Sequence, residues 1–343
     1  MPRSASRFVH QVIGSFAIAC VAACDGAAPV SPPVEEPRTL VVGDPTAGSW
    51  DSLPYVSFRH DLTGVVRVLF SSRRGSPLAA CDGSLLVYAQ QLTVLTAASC
   101  VDFAVRGIGG VRSITVTGYE APSLVVNRRV LKYQLHPSFD PARYGAHNLA
   151  LLYLDRPFPS HMVHYALGDT PELLEKPLTV ASYGITGNTT TGRVFGYHAS
   201  VSPQPILRHG TQMLETACDE LIWVCGRPHE PVDVRGSHGP ILLADLDRPG
   251  VSAMPNPLCH WLGFCNAGLS TEAMPGHLSG QGAPALYNSY VIGIYNKEHP
   301  PYNAPVGVMS GQFGSWHSFA CVSDWRANRE CTDNAQWIIS NAR

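Results

Sequence analysis

Apolar and β-branched residues gather in short runs rather than in long helical stripes. The runs at 65–70, 84–88, 92–96, 114–118, 124–133, 149–154, 178–182 and 291–295 are rich in Val, Leu, Ile, Thr and Tyr. These residues suit a pleated, half-buried surface. Clusters of Gly, Pro, Asn and Asp punctuate the runs, as turns require. A helical period is credible only near the end, where Asp333 is placed to cap a helix through Trp337 and Ile338. No repeat of fixed period emerges. The pattern predicts an all-β sandwich or barrel architecture.

A different pattern opens the chain. Arg3 and Arg7 precede a mostly apolar run at 12–23, and no acidic residue occurs before Asp25. The run is too short to span a bilayer as a mature helix and has the form of an export signal. It ends in Val21-Ala22-Ala23-Cys24, which resembles the bacterial lipobox. Cys24 is therefore the expected lipidation site, with residues 1–23 a lipoprotein-type signal peptide. The alternative is an ordinary cleaved signal with a chance cysteine. Cys20 fits less well, because Ala17 stands where the lipobox wants a larger aliphatic residue. Residues 24–38 are dominated by Pro, Ala and acidic side chains and read as a Pro-rich tether. Residues 39–343 remain for the folded domain, and no later stretch is apolar enough for a transmembrane helix. The expected location is the bacterial cell envelope, anchored by an N-terminal lipid on the periplasmic or cell-surface side of a membrane.

Composition narrows the function classes. Of 343 residues, 45% are hydrophobic and only 15% charged, which excludes a disordered chain. Lys+Arg 24 against Asp+Glu 26 leaves no basic excess of the kind nucleic-acid binders carry. Setting aside Cys20 and Cys24 leaves eight cysteines, and an even count in an exported chain suggests disulfides. Pairing sequence neighbours gives Cys81–Cys100, Cys218–Cys225, Cys259–Cys265 and Cys321–Cys331, although the sequence leaves the connectivity open. A metal site competes: His260 abuts Cys259, and His229 and His238 lie between cysteine pairs. No CxxC occurs, however, and the gaps do not match common zinc spacings. His161 and His164 have an HxxH spacing with nothing else beside it. No metal or other cofactor is expected.

Several motifs then fall in one order. Cys81-Asp82-Gly83-Ser84-Leu85-Leu86 is followed by Val94-Leu95-Thr96-Ala97-Ala98-Ser99-Cys100. Leu135-His136-Pro137 precedes His147-Asn148-Leu149-Ala150-Leu151-Leu152. Ser279-Gly280-Gln281-Gly282-Ala283-Pro284 leads into Val291-Ile292-Gly293-Ile294. Together they resemble the trypsin/chymotrypsin family of serine proteases, whose patterns are CGGSL with VLTAAHC, HP with NDIALL, and GDSGGP with VxGI. Val41-Val42-Gly43-Asp44 with Pro54-Tyr55-Val56-Ser57 resembles the family's start, Ser182-Tyr183-Gly184 its GWG-like strand, and Trp337-Ile338 its closing helix. The resemblance runs from about residue 41 to 339. It implies two six-stranded antiparallel β-barrels with a cleft between them and a C-terminal helix. It also implies a Cys81–Cys100 disulfide, because those cysteines flank the family's first catalytic loop.

The chemistry departs from the family at all three triad positions. The family hydrolyses peptide bonds with a serine nucleophile, a histidine base and an orienting aspartate. Ser99 stands at the histidine position, Asn148 at the aspartate and Gln281 at the serine. None of the three supplies the missing function. Supporting positions differ too: Ser279 replaces the oxyanion-hole glycine, Gly280 the aspartate that pairs with a new N-terminus, and Pro275 the pocket aspartate of trypsin-type enzymes. Leu40, not a basic residue, precedes the start motif. A shifted register would make Ser279 an alternative nucleophile. His277 is then two residues away in sequence, while His147 adjoins Asn148 and His136 lies in the HP segment; each is expected to be an ordinary surface or loop residue. Three functions are expected in order: a pseudoprotease binding a peptide or protein ligand in the envelope, a hydrolase with a non-standard nucleophile such as Ser279, and a structural envelope protein. The sequence leaves the oligomeric state and the role of residues 218–275 open.

Overall fold

The computed structural model describes residues 42–43, 58–121, 123–141, 145, 147–168, 176–184, 187–188, 192–193, 207–214, 216–217, 241–245, 273–274, 281–299, 316–322 and 329–342. Contacts divide the chain into Met1–Glu36 and Pro37–Arg343, and every described residue lies in the second unit. Signal peptide, tether, Cys20 and Cys24 lie outside the described residues. So do Leu40, 54–57, Pro275, His277, Ser279, Gly280, His229, His238, His260 and the pairs Cys218–Cys225 and Cys259–Cys265.

Six strands close a barrel: β1 (Val65–Ser72), β2 (Pro77–Leu85), β3 (Thr93–Thr96), β4 (Val111–Ala121), β5 (Leu124–Leu135) and β6 (Ala150–Leu154). Their order around it is β1-β2-β3-β6-β5-β4, and every pairing is antiparallel. Val65, Val66, Val68 and Phe70 of β1 are buried with Val94 and Leu95 of β3 and the Leu149–Leu152 run. Closure leaves this sheet no edge to protect.

A second sheet uses β7 (Ala166–Leu167), β8 (Pro177–Ser182), β9 (Arg208–Met213), β10 (Thr216–Ala217), β11 (Ile241–Asp245), β12 (Pro284–Tyr287), β13 (Tyr290–His299) and β14 (Trp316–Cys321). Its order is β9-β8-β12-β13-β14-β11-β10, with β7 parallel to β13. Leu178, Val180, Leu242, Ala285, Ile292 and Phe319 form its core. A small third sheet joins Val42–Gly43 of the start motif to Gly187–Asn188 and Ala273–Met274. The helix α1 (Ala98–Asp102) follows β3, and α2 (Arg329–Asn341) closes the chain.

The fold is thus all-β with a C-terminal helix, the architecture that the resemblance implies. Two expectations change in detail. The run at 84–88 belongs to a strand that begins at Pro77 and ends at Leu85; beyond it Val87 is exposed and a 3-10 turn follows at Ala89–Gln91. Asp333 is not the cap of the last helix but lies within it, because the helix begins at Arg329. Cys331 on α2 is bonded to Cys321 at the end of β14, with Cα atoms 5.1 Å apart. That bond ties the first turn of the helix to the end of β14. Among the described residues, no helix is long and apolar enough to cross a membrane.

Candidate functional site

The fold brings Ser99, Asn148 and Gln281 together. Ser99 sits in the first turn of α1, Asn148 just ahead of β6, and Gln281 on the turn that enters β12. The Ser99 amide donates to Asn148 Oδ1 at 2.6 Å, and Asn148 Nδ2 donates back to Ser99 Oγ at 3.0 Å. Ser99 Oγ in turn donates to Gln281 Oε1 at 3.2 Å. Gln281 Nε2 reaches the Asn296 carbonyl at 3.4 Å, and Asn296 Nδ2 donates to the Gly145 carbonyl at 3.2 Å. The Asn148 amide also donates to Gly145, at 3.1 Å. The circuit closes on itself.

The chemical consequence follows from the groups involved. The circuit holds one hydroxyl and three carboxamides, all neutral. A carboxamide oxygen accepts a hydrogen bond but does not take up a proton at neutral pH. The Ser99 proton therefore points at an acceptor that cannot serve as a general base. Ser99 and Asn148 are buried, where polar groups must be paired. The mutual bonds meet that need within the site. Asn296 Oδ1 is a buried acceptor with no hydrogen-bond partner among the described residues.

Beneath the circuit lies a charge that the motif reading did not single out. Asp82 stands where the family pattern has its first glycine, and it is fully buried. Its amide donates to the Gln281 carbonyl at 2.9 Å. Its own carbonyl accepts from Thr96 Oγ1 at 2.6 Å. Gly282 adopts φ +89°, and a Cβ there would strike the Asp82 carbonyl and Thr96 Oγ1. The turn that carries Gln281 is thus seated directly on the Asp82 backbone. The Asp82 carboxylate accepts from Ser182 Oγ and, at 3.0 Å, from the Tyr183 amide. Ser182 also replaces a family glycine, so two departures from the motifs contact each other. Arg67 is the cross-strand neighbour of Asp82 and is buried too. Burial dominates: it raises the Asp82 pKa to about 7 despite the hydrogen bonds and Arg67. Burial works against the charge on Arg67 as well. A carboxylate inside an otherwise apolar motif was the available signal.

The histidines are engaged elsewhere. His136 and His147 stack at 4.6 Å, and Trp337 of α2 meets the His136 ring edge-on. His147 Nδ1 donates to Asn334 Oδ1 at 2.9 Å. Both rings thus lie against the C-terminal helix. His136 lies in a loop just after β5 and is buried, with Trp337 of the helix against its ring. Desolvation first, then His147, lowers its pKa to about 4. His161 pairs with Glu120, and His164 Nδ1 donates to the Met162 carbonyl. Among the described residues, no group of three or more His, Cys, Asp or Glu could hold a metal ion.

Cys81 and Cys100 are disulfide-bonded, with Cα atoms 6.4 Å apart. The bond ties β2 to α1 one residue from Ser99.

No family model matches the chain, and the curated proteins searched contain no match. Among solved structures, one of HL collagenase is similar, at 16% identity and a TM-score of 0.49, over 84% of this chain and 96% of that one.

Proposed function

We propose that this chain is a catalytically silent homologue of trypsin-like serine proteases, exported and lipid-anchored, that binds a peptide or protein ligand in the cell envelope. The carrying observation is the closed circuit of Ser99, Asn148, Gly145, Asn296 and Gln281. The positions that would hold base, orienter and nucleophile instead satisfy one another as neutral hydrogen-bond partners. In this family, replacing the aspartate alone by asparagine costs about 10⁴ in rate. Here base and nucleophile are replaced as well. The buried Asp82–Ser182 contact supports the same reading. Asp82 also carries the turn of Gln281, through the bond from its amide to the Gln281 carbonyl.

The test is labelling of the purified protein with a fluorophosphonate serine-hydrolase probe, followed by peptide mapping. No labelled peptide is expected. A label on Ser279, or on any other serine, would overturn the silent assignment and favour a hydrolase.

A further inference from the structure

One corner of the first barrel combines exposed apolar and unpaired basic side chains. The β1–β2 turn carries Arg73 and Arg74. Its base, Ser72, is the Cα partner of Val111 at the start of β4, so Arg112 flanks the same turn. All three arginines are exposed, and among the described residues none has a hydrogen bond or ion pair. The helical turn Phe103–Ile108 ends three residues before Val111 and packs against β2 and β4. On it Phe103, whose ring lies over Gly107, is 53% exposed, and Ile108 is 38% exposed. Thr115↔Arg129 is the last pair of β4 with β5 on the side of Arg112, and two residues further along β5, where it pairs with β6, stands Leu131, 61% exposed.

Large apolar side chains held in water beside basic ones have a specific chemistry. The apolar groups gain by entering an acyl boundary, while the arginines meet anionic headgroups. The wider charge distribution agrees. Residues 58–168 contain eleven Lys and Arg against six Asp and Glu, whereas the rest of the chain contains thirteen against twenty. The positive field therefore belongs to the barrel that bears this corner, although the whole chain is slightly acidic.

We infer that the corner formed by Phe103, Ile108, Leu131, Arg73, Arg74 and Arg112 docks the barrel onto an anionic lipid surface. This contact is separate from any ligand at the Ser99–Gln281 site and from any acyl chain on Cys24. It would turn the barrel toward the bilayer instead of leaving it free at the end of a tether.

The experiment uses the full chain with Cys24→Ala, so that no acyl chain is attached there. Sedimentation is measured with phosphatidylcholine vesicles and with vesicles containing phosphatidylglycerol. The phosphatidylcholine arm sets the baseline for any binding by the apolar run at 12–23. Anionic vesicles are expected to bind well above that baseline. Arg73→Gln with Arg74→Gln and Arg112→Gln should weaken this excess by about 100-fold, at about 1 kcal/mol per basic residue near the surface. Phe103→Ser with Ile108→Ser and Leu131→Ser should weaken it at least ten-fold. These residues are exposed, and circular dichroism checks that the variants remain folded. No excess binding to anionic vesicles, or binding unchanged by either variant, overturns the inference. Loss with the arginine variant but not the apolar one also overturns it, because that result fits an acidic protein segment rather than a bilayer.

Discussion

Asp82 is the residue whose environment departs furthest from its sequence context. A carboxyl among apolar neighbours is costly unless paired or protonated. Ser182 Oγ, the Tyr183 amide and Arg67 surround it, yet burial still raises its pKa to about 7, against 3.8 for the free side chain. Between those values the folded state binds more protons than the unfolded one. The group therefore contributes stability that is full below about pH 4 and lost as pH rises through 7. Asp82→Asn removes this titration while keeping a carbonyl acceptor. Urea unfolding is expected to give similar stability for the two proteins only below about pH 4. A gap of a few kcal/mol in favour of the variant should open progressively between about pH 4 and 7 and stay level above it. Parallel curves across that range would show that Asp82 is ionised throughout. His136 and His317 work in the opposite sense. Burial lowers their pKa values to about 4 and about 3, so their stabilising contribution is present above pH 6.5 and declines as the solution is acidified. For His317 the cause is desolvation alone, and among the described residues neither ring nitrogen has a hydrogen-bond partner.

At the scale of elements, the first barrel was the more legible. In β3 and β6 the Val and Leu positions are buried, as are Val65, Val66 and Val68 of β1, so pattern and burial agree there, whereas β5 leaves Leu124, Val125 and Leu131 exposed. In the second sheet, β7, β9, β10, β11, β12 and β14 lie outside the predicted runs. β9 buries Arg208, His209 and Gln212, and β14 buries His317 and Ser318. Polar residues at buried positions erase the apolar signal on which strand reading depends. In β12 a proline opens a strand of only four residues. The Cys81–Cys100 bond shows what an element-level constraint contributes. It closes the connection that includes β3 and holds α1, and with it Ser99, against β2. Replacing both cysteines by serine removes a cross-link worth roughly 3 kcal/mol for a loop of this size and buries two hydroxyls. The urea midpoint should fall markedly under oxidising conditions. An unchanged midpoint would mean that the bond does not form in the mature protein. Such a result would also weaken the alignment that places Ser99 in the family's first catalytic loop.

For the whole molecule, location is a matter of chemistry at the N-terminus. The proposed anchor predicts that the exported protein enters the detergent phase on Triton X-114 separation and that Cys24→Ala shifts it to the aqueous phase. Wild-type protein already in the aqueous phase would remove the anchor from the proposal. The sequence by itself determined the class of fold and singled out Ser99, Asn148 and Gln281. Short apolar runs and ordered motifs are local signals, and each survives without knowledge of its neighbours. The tertiary structure decided what those positions do to one another. Ser99 and Asn148 are 49 residues apart, and Ser99 and Gln281 are 182 apart. Only folding makes a hydroxyl and the surrounding amides mutual partners. It also decided that Asp82 and Ser182, a hundred residues apart, compensate each other. The cost of a buried charge depends on which donors approach it through space, and a linear pattern holds no record of that approach.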